Sequence, residues 1–290
     1  MKSNNFRKYS GLSVLIIVLC VILVSVIGNR VQNNAHKVVK ITILHTNDTH
    51  SQVEPQERNN MGGYARRLGV IKQIRAEEQN VLLLDAGDFW QGTPYFNFFN
   101  GRIEIEAFNR MKYDAVALGN HEFDNGVDSL VVMLRFAEFA VVNSNYRFEN
   151  PFLAEKIKPY IIKEIDGVRI GIMGLGINLD GYVVQKHFEG VTILDPITVA
   201  NEISQKLKNE KKCDLVICLS HLGVNPLRSA VTDIDIARNT RYIDIIIGGH
   251  SHDILENLTE KNLDGRDVII AQVGWSGFYL GRIDLELERR

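Results

Sequence analysis

Cysteine is scarce, with three in 290 residues, and Cys20 falls in an apolar N-terminal run, so only Cys213 and Cys218 remain beyond it. Five residues apart in an extended segment, their Cα atoms would stand roughly 16 Å apart at about 3.3 Å per residue, too far for a disulfide. They read as small core residues, and a cysteine metal site is excluded. Charge of one sign is also lacking. The net charge is -2 and no long run of Lys or Arg occurs, which argues against a surface for a nucleic acid polymer. A small anionic substrate would need positive charge from elsewhere, such as metal ions. No internal repeat, low-complexity tract or Pro- or Gly-rich linker is found, so beyond the N-terminal segment a single domain, residues 38–290, is the economical reading.

What is present has the balance of an ordinary globular chain: 45% hydrophobic and 23% charged, enough apolar residues for a sizeable core. Lys2, Arg7 and Lys8 precede an apolar run from Leu12 to Ile27, broken only by Ser13, Cys20 and Ser25. That is the layout of an export signal. The run is a little shorter than the roughly 20 residues a spanning helix prefers, so cleavage after Gly28 and retention as an anchor both stay open. Bulky Leu19 disfavours Cys20 as a lipid acceptor. Residues 1–37 are therefore expected to be a signal peptide or membrane anchor with a short linker. The product is expected to be exported, periplasmic or otherwise extracytoplasmic, meeting the membrane only through this segment.

From Val38 onward, short β-branched runs alternate with segments of helical period, the pattern of an α/β sandwich built on buried strands. Strands are expected at Val39–Leu44, Val81–Asp85, Ala115–Ala117, Ala140–Val142, Arg169–Leu175, Leu215–Ser220, Ile243–Ile247 and Val268–Val273. Helices are expected at Ala65–Glu78, Glu104–Met111, Asp128–Glu138 and Thr198–Glu210. Five of the strands run into polar clusters: TNDTH, DAGDFWQG, GNHEFDNG, SHLG and GGHSH. Loops just past strand ends are where an α/β sheet gathers its chemistry, and five of them imply one shared site.

Asp48 and His50 are two apart, which in an extended segment points an oxygen and an imidazole nitrogen the same way, toward one metal. Alone, such a pair is more often a turn. Asp88 follows a glycine at a strand end, where its two oxygens could bridge two cations; Asp85, nearer the strand body, reads as structural. Asn120 can give an amide oxygen to a metal. His121 lies beside it, and Asp124 is close enough to orient that histidine. Glu122 and Asn125 read as helix-cap and surface-loop residues. His221 ends an apolar strand, and His250 and His252 share a turn after another. One histidine at a strand end is usually structural, whereas three call for a common explanation, and metal binding is the simplest.

The order D-x-H, G-D, G-N-H-E, H, G-H-x-H resembles the calcineurin-like metallophosphoesterases from about Ile41 to Leu287. The strings ILHTNDTH, GGYARR, GDFWQG, YDAVALGNHEFDNG and LGRIDLEL are similar to the 5'-nucleotidase and UDP-sugar hydrolase family in particular. Ser51 departs from that pattern, which often has glycine there. The resemblance implies a four-layer α/β/β/α sandwich with two divalent metal ions. Asp48, His50, Asp88 and His252 would hold one, and Asp88, Asn120, His221 and His250 the other. Ligands of nitrogen and oxygen suit Zn, Mn, Co or Fe. His121 and Asp124 would be the catalytic pair. The implied substrate is a small phosphate monoester, a 5'-nucleotide first, with a 2',3'-cyclic nucleotide or a UDP-sugar as alternatives. A silent binding module would be marked by lost ligands, and none is lost. Full-length members carry a C-terminal domain that grips the nucleoside, so a chain ending at Arg290 is expected either to obtain nucleoside recognition from a separate polypeptide, such as a separately encoded copy of that domain, or to do with little of it.

Overall fold

The computed structural model describes residues 38–288, so the N-terminal leader, Cys20 and the expected boundary at residue 37 lie outside the described residues. In chain order the first half comprises β1 (Val38–Thr46), α1 (Tyr64–Glu77), β2 (Val81–Asp85), α2 (Pro94–Phe99), α3 (Arg102–Met111), β3 (Ala115–Ala117), α4 (Gly126–Leu134), β4 (Ala140–Val142), β5 (Tyr146–Phe148), α5 (Pro151–Lys156) and β6 (Ile157–Lys158). The second comprises β7 (Tyr160–Ile165), β8 (Val168–Leu175), β9 (Val191–Ile193), α6 (Pro196–Gln205), β10 (Leu215–Ser220), α7 (Asp233–Asn239), β11 (Ile245–Gly248), β12 (Ile254–Lys261), β13 (Asp267–Val273) and β14 (Gly281–Glu288).

Two six-stranded sheets result, ordered β14-β1-β2-β3-β4-β6 and β12-β13-β11-β10-β8-β7. The strands from β1 to β6 in the first sheet pair in parallel, as do β8, β10, β11 and β13 in the second. Parallel strands need long crossovers and are covered on both faces, which is why they are written as unbroken apolar runs. The sheets face each other through β3 and β4 on one side and β7, β8 and β10 on the other. They come so close at one point that a Cβ at Gly174 would overlap the Val142 carbonyl. On the outer faces, α1, α3 and α4 pack together, while α6 and α7 pack on the second sheet. Burying Ile105 and Phe108 of α3 against this core contributes roughly 1.5–3 kcal/mol each. The architecture is the α/β/β/α sandwich expected.

All eight expected strands and four helices form, four of the strands (Val81–Asp85, Ala115–Ala117, Ala140–Val142 and Leu215–Ser220) with the expected bounds and the other elements with shifted ends. The helix expected at Asp128–Glu138 runs instead from Gly126 to Leu134. Asn109 stops it, because its side chain donates to the Phe136 carbonyl at 2.7 Å and accepts from the Glu138 amide at 2.9 Å. The helix expected from Thr198 begins at Pro196 because Asp195 caps it, accepting from the Thr198 amide at 2.7 Å. Its last stretch, Lys206–Glu210, widens into a π turn. Cys213 and Cys218 are both free and buried.

Candidate metal centre

The loops after β1, β2, β3, β10 and β11 meet and bring all seven expected ligand residues together. Asp48, His50 and His252 offer ligand atoms lying within 4.8 Å of one another, and Asp88, His221 and His250 do the same. In the first group, His50 Nε2 is 3.2 Å from His252 Nε2, which lies 3.4 Å from Asp48 Oδ1. In the second, His221 Nε2 is 3.0 Å from Asp88 Oδ2 and 3.8 Å from Asp48 Oδ1, so the groups adjoin. Asn120 enters the second group, its Oδ1 standing 3.1 Å from His250 Nδ1.

The expected extended path through these residues is not the one adopted. Asp48, His50, Asp88, His250 and His252 all sit in the left-handed region, with φ between 45° and 65°. Asp48 and His50 therefore converge through a coiled turn and not through strand alternation, and His250 and His252 diverge into different groups. A non-glycine residue in this region costs of order 1–3 kcal/mol, and such strain gathers at functional sites. The turns are pinned across the chain, since the His250 amide donates to both Asp48 carboxylate oxygens at 3.0 Å.

The donor set fits divalent cations. His221 Nδ1 donates to the Ala86 carbonyl at 2.8 Å, and His250 Nε2 to the Arg228 carbonyl at 3.3 Å. Each bond fixes the tautomer and turns the other nitrogen's lone pair into the centre. His250 Nδ1 then faces the Asn120 amide oxygen, acceptor against acceptor, a contact that needs a positive charge between them. His221 Nε2 is fully buried and makes no aligned hydrogen bond despite its approach to Asp88. Burial works against charge on both of these residues, yet their mutual attraction overrides it, raising His221 to about 10 and holding Asp88 well below the carboxylate range. A bound cation would take the place of that proton. Burial pushes His50 and His250 down, the latter to about 4, which leaves neutral imidazoles able to ligate.

Space for this arrangement comes from glycine. A Cβ at Gly119 would overlap the Asp88 carboxylate and come within 2.7 Å of His221 Nε2.

His121 and Asp124 stand at the edge of the centre. His121 Nδ1 is 2.7 Å from Asp124 Oδ2, and its ring lies 5.2 Å from that of His50. Burial lowers the pKa of His121, but the hydrogen bond to Asp124 and the charge of Asp88 outweigh it and raise it to about 9. His121 is thus an imidazolium at neutral pH with Nε2–H free to donate. Asp85 is structural, accepting from Thr46 Oγ1 at 2.5 Å and from the Gly87 amide at 2.9 Å.

Glu122 overturns the expectation of a surface or capping residue, whereas Asn125 is exposed on its loop as expected. Glu122 is fully buried, and its carboxylate accepts from the amides of Asp88 and Phe89 at 3.0 Å, Trp90 at 3.2 Å and Gly119 at 2.6 Å. It ties the loop of Asp88 to the loop of Asn120. Nothing local in GNHEF distinguishes a buried clamp from a cap, because its partners on the Asp88 loop lie more than thirty residues away. Two aromatic residues also flank the centre without having been marked. The Trp275 indole lies parallel to the His252 ring, with centroids 5.6 Å apart and an angle of 3°, and Tyr182 meets His250 edge-on at 4.9 Å. Trp275 sits in a Gly-Trp-Ser-Gly turn after an apolar strand, the layout that marked the other clusters, but it carries no ligand atom.

The calcineurin-like phosphoesterase family profile matches residues 41–253. Human 5'-nucleotidase is 34% identical over 279 residues, covering 87% of this chain and 47% of that protein. The 5'-nucleotidase precursor of Thermus thermophilus superposes with a TM-score of 0.77 at 33% identity, over 87% of this chain and 52% of that one. The calcineurin-like phosphoesterase YfkN of Bacillus subtilis gives 0.72 at 29%, over 88% and 87%. The chain spans about half the length of the curated 5'-nucleotidases it matches. Because the matched segment contains every loop that converges on the paired metal-binding groups, the chain belongs to the calcineurin-like phosphoesterase family.

Proposed function

We propose that this chain hydrolyses phosphate monoesters, 5'-nucleotides first, using two divalent cations. The observation that carries the reading is the pair of adjoining ligand groups, whose lone pairs converge with no proton donor to satisfy them all. Asp48, His50 and His252 would hold one ion, and Asn120, His221 and His250 the other, with Asp88 shared. Two such cations supply Lewis acidity, neutralising phosphoryl oxygens and acidifying water. The chain's own residues do the rest. Water attacks phosphorus in line with the departing ribose oxygen, and His121, held by Asp124, gives that oxygen its proton as the P–O bond breaks. The nucleotide preference draws on the curated relatives, several of which are named 5'-nucleotidase.

The test is product analysis with purified protein supplied with Zn, Mn or Co, using AMP, a 2',3'-cyclic nucleotide and UDP-glucose. Phosphate from AMP supports the reading. Turnover confined to the cyclic nucleotide or UDP-glucose would make the chain a diesterase, and metal binding without turnover on any ester would make it a binding module.

A further inference from the structure

We infer that Glu104 is a positioning residue for the first metal-binding group, acting through the hydroxyl of Ser51 on the turn that aims His50. The role rests on the two-cation reading above. Glu104 is fully buried, and so is Ser51, whose Oγ donates to Glu104 Oε1. An acid is almost never so enclosed unless it is paired, yet among the described residues no Lys, Arg or His forms an ion pair with Glu104, and its Oε2 has no hydrogen-bond partner. A single hydroxyl does not offset the burial of a carboxylate, so the contact is a poor source of stability. Its place in the chain gives it another use.

Ser51 follows His50 directly, and both sit in the left-handed region, at φ of 55° and 45°. Glycine, frequent at this position in the pattern that the chain resembles, takes such angles without strain, whereas serine must be held there. The Ser51 amide donates to the Phe89 carbonyl at 3.1 Å, and the Ser51 carbonyl accepts from Thr93 Oγ1 at 2.8 Å. Those two bonds tie the turn to the loop after β2, and two loops can shift together. The bond to Glu104 reaches a helix instead. Glu104 lies in the first turn of α3, where the helix dipole favours a negative charge, and α3 is set in the core by fully buried Ile105 and Phe108. The carboxylate thus fixes the turn against a rigid element, and His50 with it.

The experiment titrates the whole chain with Co(II), followed by visible absorption, with His252→Ala marking the ion of the first group. Ser51→Ala and Glu104→Leu should each weaken that same ion by about ten- to a hundredfold, the usual loss when support behind a ligand is removed, and leave the other ion unchanged. Glu104→Gln, whose amide oxygen still accepts from the hydroxyl, should retain most of the affinity. The double variant Ser51→Ala/Glu104→Leu should lose no more than the worse single variant, because the two residues act as one unit. A contact that only stabilises the fold would lower the unfolding midpoint and weaken both ions alike or neither. That result, or losses that add in the double variant, would overturn the positioning role. If the wild type binds two ions but hydrolyses no ester, the phosphohydrolase reading fails and the titration still decides the role of Glu104. A wild type that binds no ion would sink both.

Discussion

Replacing Glu122 by glutamine changes one oxygen to an amide nitrogen and tests whether this carboxylate is the clamp of the metal centre. The four amides it accepts divide between its oxygens, Phe89 and Trp90 on Oε1 and Asp88 and Gly119 on Oε2. Whichever way the amide of glutamine turns, one pair of buried N–H groups meets an NH2 and loses its acceptor. At about 1–3 kcal/mol for each buried unsatisfied donor, the loss is about 2–6 kcal/mol. At roughly 2–4 °C per kcal/mol for a domain of this size, the unfolding midpoint should fall by about 5–20 °C. Metal affinity should fall as well, since the clamp joins the loops of Asp88 and Asn120. Differential scanning calorimetry with and without added zinc reads both effects. Burial, and then the charge of Asp88, push the Glu122 pKa up to about 8, whereas four backbone donors favour the ionised form. Were the neutral acid the working form, glutamine would imitate it closely. A variant melting within a degree of the wild type, with unchanged metal affinity, would refute the clamp.

His221→Ala and Asp88→Asn should each abolish hydrolysis while the fold survives, with Asp88→Asn the more damaging because both ions would depend on it; elemental analysis beside turnover checks this, and near-wild-type rates with two ions bound would reject the assignment. His121→Ala should keep its metals yet lose on the order of 10²–10⁴ in rate on AMP, and less on p-nitrophenyl phosphate, whose leaving group needs no proton. Equal losses on the two esters would point to phosphate binding in place of proton donation. The basic start and apolar run before Gly28 lead us to expect the protein outside the cytoplasm on cell fractionation, and intact chain recovered soluble from the cytosol would contradict export.

The parallel strands were legible because burial on both faces writes them as nearly continuous apolar runs, such as VLLLD of β2 and LVICLS of β10. The elements passed over are short or half-exposed. The β12 segment ILENLTEK and the β14 segment GRIDLELE mix charge into alternation, and the six residues of α2 and α5 are too few to show a helical period. The α7 helix carried a capping box, Thr232 with Asp235, that pattern alone could have shown.

By itself, the sequence determined which residues could carry the chemistry, because a run of buried strands each ending in Asp, Asn or His leaves few other uses for those groups. It could not decide which side chain meets which. His250 reaches Asn120 across 130 residues and pins Asp48 across 202. The left-handed turns that aim the ligands follow from those contacts and not from local preference, since Asp and His reach such angles only when surrounding structure over-determines them. Glu122 and Trp275 show the same limit from opposite sides. One is a type that favours the surface and forms a buried clamp, the other is a type that favours the core and stands exposed beside His252, because burial belongs to the packed sandwich and not to the residue.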